Sequence, residues 1–465
     1  MIHANDPERH AHQTVAYTMT VTNISSSRQS PKRLQLRWWA TDTTSIFFNL
    51  LALYLLAYFF FYPYGVPITG TATARLVDLV ALLCIALGGL ALVQHMRINA
   101  TVLVFWPILP FLAMELLLPL AGVVVFDAPG GVFNAGRLFI LHAPVLIAAC
   151  FCATARLDEL HRRITRMLQI ILIANFIYAS MQLAVGFGVL PEGVLFMELL
   201  TPFAVDDNYD TVRNLRESGF FANATGLSQM GIVAIAYFLA RYQEGNRRSD
   251  LFFALLGMAT VVLSTSRAAY VGMFLIIGWM LAQSLLSLKV RRIRQVFTIG
   301  MVLGVAGALM LWLIATLFGF EEFFARFIRI FEGGLENDYS FSTRANELWP
   351  TVLAKVHAYY PYGTLLPAPQ VLGLIDSGYL TYYAQGRWLM LGSLILLFAS
   401  LIVYTQISLR GWNNWSRHFV FFLLLYIIPA MVVTNPMRSP LIVFMLYYGM
   451  WAIHCERQWK HHHSG

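Results

Sequence analysis

The sequence predicts an all-α polytopic membrane protein of about 12 transmembrane helices. Its composition is the first sign: 58% of residues are hydrophobic and only 12% charged, with a mean hydropathy of +0.63. Soluble domains carry about 25% charged residues. Secondly, apolar runs recur along the whole chain, each near the roughly 20 residues that cross a hydrocarbon core. The runs are continuous rather than alternating, which argues against a β-barrel. Thirdly, basic residues fall in alternate connections, as the orienting bias of membrane insertion requires.

Residues 1–42 read as a disordered cytoplasmic arm whose end carries Arg28, Lys32, Arg33 and Arg37 beside Trp38 and Trp39. Basic residues followed by aromatic ones mark a cytoplasmic membrane surface. The arm lacks a cleavable signal pattern, so the first span is expected to be retained. Residues 43–319 hold nine expected spans, at 43–62, 76–94, 100–125, 134–153, 165–190, 219–240, 250–265, 267–288 and 296–319. Three more follow within 387–454, at 387–409, 418–435 and 439–454, and 455–465 is expected as a cytoplasmic tail. Arg97, Arg156 to Arg166, Arg241 to Arg248, Lys289 to Arg294, Arg410 and Arg417 all fall in even-numbered connections. Both termini are therefore expected in the cytoplasm.

The net charge of +8 follows from these same loops and gives no reason to expect nucleic acid as a partner. Cys84, Cys150, Cys152 and Cys455 lie in apolar stretches or at their edge. Neither a disulfide framework nor zinc spacing is implied. No Gly-rich phosphate loop or paired-carboxylate metal site is visible, so no cofactor and no metal are expected.

Two outer connections are long. Residues 191–218 are rich in acid, with Asp206, Asp207, Asp210 and Glu217 among them. Residues 320–386 form the larger, and a connection of that length in a compact bundle usually carries function. It opens with Phe320, Phe323, Phe324, Phe327, Ile328 and Phe331 at helical spacing and Glu321, Glu322, Arg326 and Arg329 on the opposite face, an amphipathic interfacial helix. Ser342 and Thr343 are expected to cap a second helix running to about Ala358, with Arg344 at its start. Tyr359 to Thr364 and Pro367 to Pro369 are turn chemistry, and Asp376-Ser-Gly-Tyr-Leu380 leads to the tenth span.

Charge at the outer face points to chemistry. Arg216 and Arg267 stand at span boundaries where the orienting bias disfavours them, beside Ser218, Gly219, Ser264, Thr265 and Ser266. Snorkelling helix anchors are the plain alternative. Small hydroxyl neighbours permit close approach of a ligand, and arginine forks grip phosphate oxygens in pairs. The helix expected from residue 219 adds free N–H groups that favour an anion. Arg344 and Arg438 are further candidates for the same anion, with a solvated helix start and a tight outer turn as their plain readings. A sugar acceptor would need a general base, and the candidates are Asp376, Glu217 and His357. The plain readings are that Asp376 caps span ten, that Glu217 pairs with Arg216 or Arg213, and that His357 is a bonded structural residue. Tyr379 and neighbouring aromatics can stack on sugar faces, although tyrosine also simply populates membrane interfaces.

The pattern Arg216-x-x-Gly-Phe-Phe-Ala-Asn-Ala-Thr-Gly226, then Ser264-Thr-Ser-Arg-Ala-Ala269, then a large late outer loop, resembles the O-antigen ligase and Wzy-type polysaccharide polymerase superfamily. The resemblance covers roughly residues 200–440. It implies a GT-C-like bacterial inner-membrane glycosyltransferase, independent of metal, with its active site at the periplasmic face. The donor would be an undecaprenyl diphosphate-linked glycan, with Arg216 and Arg267 matching the arginines that hold the diphosphate. Membrane lipids, flippase and chain-length regulator proteins are the implied partners. Ligases of the family carry a His-Asn-like motif in the large loop, whereas this chain reads Leu374-Ile-Asp-Ser-Gly-Tyr-Leu380. Polymerase is therefore the preferred expectation over transfer to a lipid A core. A transporter of lipid-linked glycan would need charge along the midplane of its spans, for which Glu115 and His142 are among the few candidates. A non-enzymatic assembly partner would leave the boundary arginines unexplained.

Overall fold

In lipid no water satisfies the backbone, so each apolar run must close its own hydrogen bonds as a helix. The computed structural model describes residues 46–58, 65–69, 72–95, 106–127, 130–151, 157–195, 219–221, 223–245, 247–286, 301, 339–373, 375–409 and 414–463. Helix α1 (Ile46–Tyr58) is followed by strands β1 (Gly65–Thr69) and β2 (Ala72–Arg75), then α2 (Leu76–His95), α3 (Leu109–Phe126) and α4 (Gly130–Phe151). Next come α5 (Leu157–Gly186), α6 (Ala224–Gly245), α7 (Arg248–Ser264) and α8 (Arg267–Leu286). The long connection at 320–386 contributes α9 (Tyr339–Thr343), a π-helical turn (Arg344–Leu348), α10 (Trp349–Tyr359) and α11 (Ala368–Leu372). The chain closes with α12 (Gly378–Leu409), α13 (Trp415–Ala430) and α14 (Pro440–His463).

Among the described residues, three helical stretches are long and apolar enough to cross a membrane: Leu109–Phe126, Leu160–Gly186 and Gly378–Gln406. Shorter apolar helices include Ile46–Tyr58, Val77–Leu90, Arg267–Gln283, Trp415–Ala430 and Pro440–Cys455. The chain is thus a helical membrane protein in character. The expected span 296–319, except residue 301, and the expected amphipathic helix 320–331 lie outside the described residues, as do the arm and most of 191–218.

Helix α6 is the axis of the bundle. Every residue from Leu227 to Ala240 is buried, and a helix apolar all round belongs inside. Helices α7 and α13 pack along it, with α8 against α13. The α6–α7 contact is close because both partners are small: Gly231 meets Gly257 and Val261. Helices α2, α3 and α4 pack together, and α12 joins them along α3.

The connection between α1 and α2 holds β1 and β2, which pair antiparallel with Gly65 opposite Arg75. Several expectations need correction. Helix α5 begins at Leu157 rather than 165, which puts Arg162, Arg163 and Arg166 on a helix. The tail expected from 455 continues α14 to His463. Ser342 and Thr343 do not cap a helix: the helical run begins at Tyr339, and Thr343 makes no side-chain cap. Arg344 is therefore inside a helical run, opening its π turn.

Helix α12, where the tenth span is expected, contains a break. Gly386 (φ −142°, ψ 23°) and Arg387 (φ 54°, ψ −144°) depart from helical geometry inside α12. The backbone freed there is used, because Thr364 N–H bonds Ala384 O at 2.8 Å and Leu365 N–H bonds Gln385 O at 2.9 Å. Such re-satisfaction is what lets a helix kink in a bundle. The 363–365 strap lies so close that a Cβ on Gly363 (φ +86°) would stand 2.6 Å from Gln385 O.

Candidate functional site

One end of the bundle gathers the segments singled out by sequence. The turn before α6 is held by α5, where Asn175 Oδ1 accepts from Phe220 N–H at 3.0 Å and Gln182 Oε1 from Gly219 N–H at 2.8 Å. Gly219 has φ +61°, and a Cβ there would lie 2.7 Å from Asn175 Oδ1. Asn223 then caps α6, its Oδ1 accepting from Gly226 N–H at 3.0 Å, the usual N-cap bond to the third helical residue. Helix α6 thus starts at Ala224, five residues later than the apolar run implied. Arg216 and Glu217 lie outside the described residues.

Helix α7 returns to this end and stops at Ser264. Thr265 adopts φ 49°, ψ 28°, and its N–H bonds Val262 O at 3.1 Å. A β-branched residue in the left-handed region is an outlier worth about 1–3 kcal/mol of strain. That strain allows a two-residue link, so Arg267 becomes the first residue of α8 and is half-buried there. Ser264 Oγ is used locally on Val261 O at 2.7 Å, while Thr265 Oγ1 is buried without a hydrogen-bond partner among the described residues.

The third contributor is the entry to α12. Gly378 N–H is shared between Met431 O (2.8 Å) and Thr434 O (2.9 Å), and Tyr379 OH donates to Ile428 O at 2.8 Å. These bonds dock 377–379 on the carboxyl end of α13, the helix against which α8 begins, Gly272 facing Tyr426. Ser377, not Asp376, caps α12: its Oγ accepts from Leu380 N–H at 3.3 Å. Asp376 is released for another role, and its Oδ2 pairs with Arg344 Nε at 2.6 Å. Both side chains are about a quarter exposed, at 25% and 24%. The structure thus joins two residues that sequence reasoning had assigned separately, one to an anion and one to base catalysis.

Arg438 ends the short turn Pro436–Arg438 and donates from Nη2 to Gln385 Oε1 at 3.4 Å. Tyr379 is occupied by its backbone bond, which leaves its ring rather than its hydroxyl for a ligand. His357 stands apart in an exposed cluster. Arg387 Nη1 approaches its Nδ1 at 3.2 Å and Tyr383 OH its Nε2 at 3.4 Å.

No protein-family model and no curated protein matches the chain.

Two features escaped the sequence reading. The first is Arg387, at the expected start of the tenth span. Its guanidinium caps the end of α10, donating to Val356 O at 2.7 Å and to Tyr360 O at 2.8 Å; positive charge suits a helix carboxyl end. The second is a buried polar cluster. Glu115 on α3 bonds His142 on α4 at 3.1 Å, and Tyr382 OH on α12 donates to the other carboxylate oxygen at 3.1 Å. Glu115 is 2% exposed and His142 1%, and the His142 ring stacks on Tyr447. The signal available was that both are ionisable residues within apolar runs. Their pairing, and Tyr382 with them, was not readable.

Proposed function

We propose that the chain is a membrane glycosyltransferase. It takes a glycan from an undecaprenyl diphosphate carrier and joins lipid-linked oligosaccharide repeats into a surface or exopolysaccharide at the periplasmic face. Diphosphate is the leaving group, so it needs no proton but does need its developing charge stabilised. Fixed arginines in a poorly hydrated site supply that stabilisation, and Arg267, with Arg216, takes this role. The acceptor hydroxyl is deprotonated by Asp376, whose carboxylate Arg344 holds in one orientation.

The observation that carries this reading is the Arg344–Asp376 pair at 2.6 Å. It rests on an α12 entry docked at the same end of the bundle as the start of α8. The deciding experiment supplies purified protein with a defined undecaprenyl diphosphate-oligosaccharide. Long products support polymerisation. Transfer to added lipid A core alone would make the chain a ligase, and absence of any transfer overturns both. A second reading, transport of lipid-linked glycan, draws on the Glu115–His142 pair inside apolar helices. Translocation of the intact substrate across liposomes, without a change in glycan length, would favour it.

A further inference from the structure

At the opposite end of α6 lies a cavity of about 750 Å³ between α5, α6, α7 and the start of α13. Its inner wall is a bonded network. Arg241 Nη1 donates to Thr165 Oγ1 at 2.6 Å and approaches His161 Nε2 at 3.0 Å, and its Nε pairs with Asp250 Oδ1 at 3.3 Å. His161 Nδ1 in turn meets Tyr448 OH at 2.8 Å, and Trp415 packs on the imidazole at 4.7 Å. Arg241 is thus positioned from three sides and largely neutralised by Asp250. The mouth is different: Arg162, Arg166 and Arg247 line it and are exposed, against one carboxylate, Glu244.

A second observation specifies the ligand further. Asp250 is 2% exposed, lines the cavity, and its Oδ2 has no hydrogen-bond partner among the described residues. A buried carboxylate oxygen in that state lacks a donor, and leaving it unmet is unfavourable. The cavity therefore asks for an anion at its mouth and a hydroxyl at its wall. Phosphate oxygens suit arginine forks, and basic pockets between membrane helices take lipid headgroups. Next to the mouth, the outward face of α5 is apolar, with Ile170, Ile173 and Ile177 exposed at 57%, 40% and 53%. Acyl chains fit that face.

We propose that this cavity binds the headgroup of a hydroxyl-bearing anionic phospholipid. The phosphodiester sits between Arg166 and Arg247, and a headgroup hydroxyl donates to Asp250 Oδ2. The site is separate from the transfer site and does not depend on the proposed activity.

The test uses the full chain in nanodiscs or detergent with three lipids: phosphatidylglycerol, phosphatidylmethanol (the same charge without the hydroxyls) and phosphatidylcholine. Lipid retention is read by native mass spectrometry and by the shift in Tm. Phosphatidylglycerol is expected to be retained at least tenfold more tightly than phosphatidylcholine, with phosphatidylmethanol between them. The double variant Arg166→Ala/Arg247→Ala, at exposed positions that leave the wall network intact, should lose that preference while keeping the lipid-free Tm. Equal retention of all three lipids, or an unchanged preference in the double variant, overturns the proposal. Soluble glycerol phosphate that shifts Tm as strongly as the lipid would also overturn it, by assigning the cavity to a free phosphate ester.

Discussion

At the scale of residues, the ion pair between Arg344 and Asp376 makes the sharpest claims. Asp376→Asn keeps the shape of the side chain but removes the base, so transfer should fall by about 100-fold or more, the usual contribution of a positioned base, while carrier binding persists. An unchanged rate in the reconstituted assay would move the base elsewhere. Arg344→Ala should lower turnover as well, and the double variant should be no worse than Asp376→Asn alone if the arginine acts by holding the carboxylate. Arg267→Ala should abolish polymer while the protein stays in the membrane. Normal product length there would remove the diphosphate from this end of the bundle. Within the apolar interior, Glu115→Ala takes a hydrogen-bond partner from both His142 and Tyr382 and should cost about 1–3 kcal/mol for each, as an unmet buried polar group does, read as a fall in thermal stability. The sequence marked Arg344, Asp376, Glu115 and His142 individually, because charge in an apolar chain is conspicuous. It could not pair them, since the bonds span 32 residues in one case and 267 from Glu115 to Tyr382. Only the fold closes such distances.

At the scale of elements, helices among the described residues were legible where an apolar run had length, because burial and backbone satisfaction both demand a helix there. Ends were less so. Helix α5 starts eight residues before its apolar run, since Arg162, Arg163 and Arg166 are good helix formers that hydropathy counts as loop. The break at Gly386 and Arg387 was hidden for a different reason. Arg387 takes φ 54° because tertiary bonds to Val356 O and Tyr360 O hold it there, and nothing local announces them. Gly363 tests the strap that fills this break. Gly363→Ala adds a Cβ 2.6 Å from Gln385 O at φ +86° and should destabilise by about 1–3 kcal/mol. Hydrogen exchange should report the loss at Thr364 and Leu365, and full protection of both amides in the variant would refute the account.

At the scale of the whole molecule, the distribution of arginines along the sequence predicts cytoplasmic termini, and labelling tests that orientation. Cysteines placed at residues 206 and 340 should react with an impermeant reagent from outside, and one at 292 from inside. The reverse pattern would overturn the topology and the transfer site together. The helical, membrane character was legible from composition alone, because a chain with 12% charge has too little polar surface to cover itself in water. How the helices group around α6 was not, because it depends on small residues such as Gly231 and Gly257 meeting across a groove, and many glycines in the chain look alike. The α12 break carries one mechanical consequence. Arg387 grips the end of α10, the 363–365 strap holds the carbonyls just before the break, and Tyr382 in the same short segment reaches Glu115. Force applied to α10 would therefore be transmitted, through the Tyr382–Arg387 segment that cannot slide freely, into the bonds between α3 and α4.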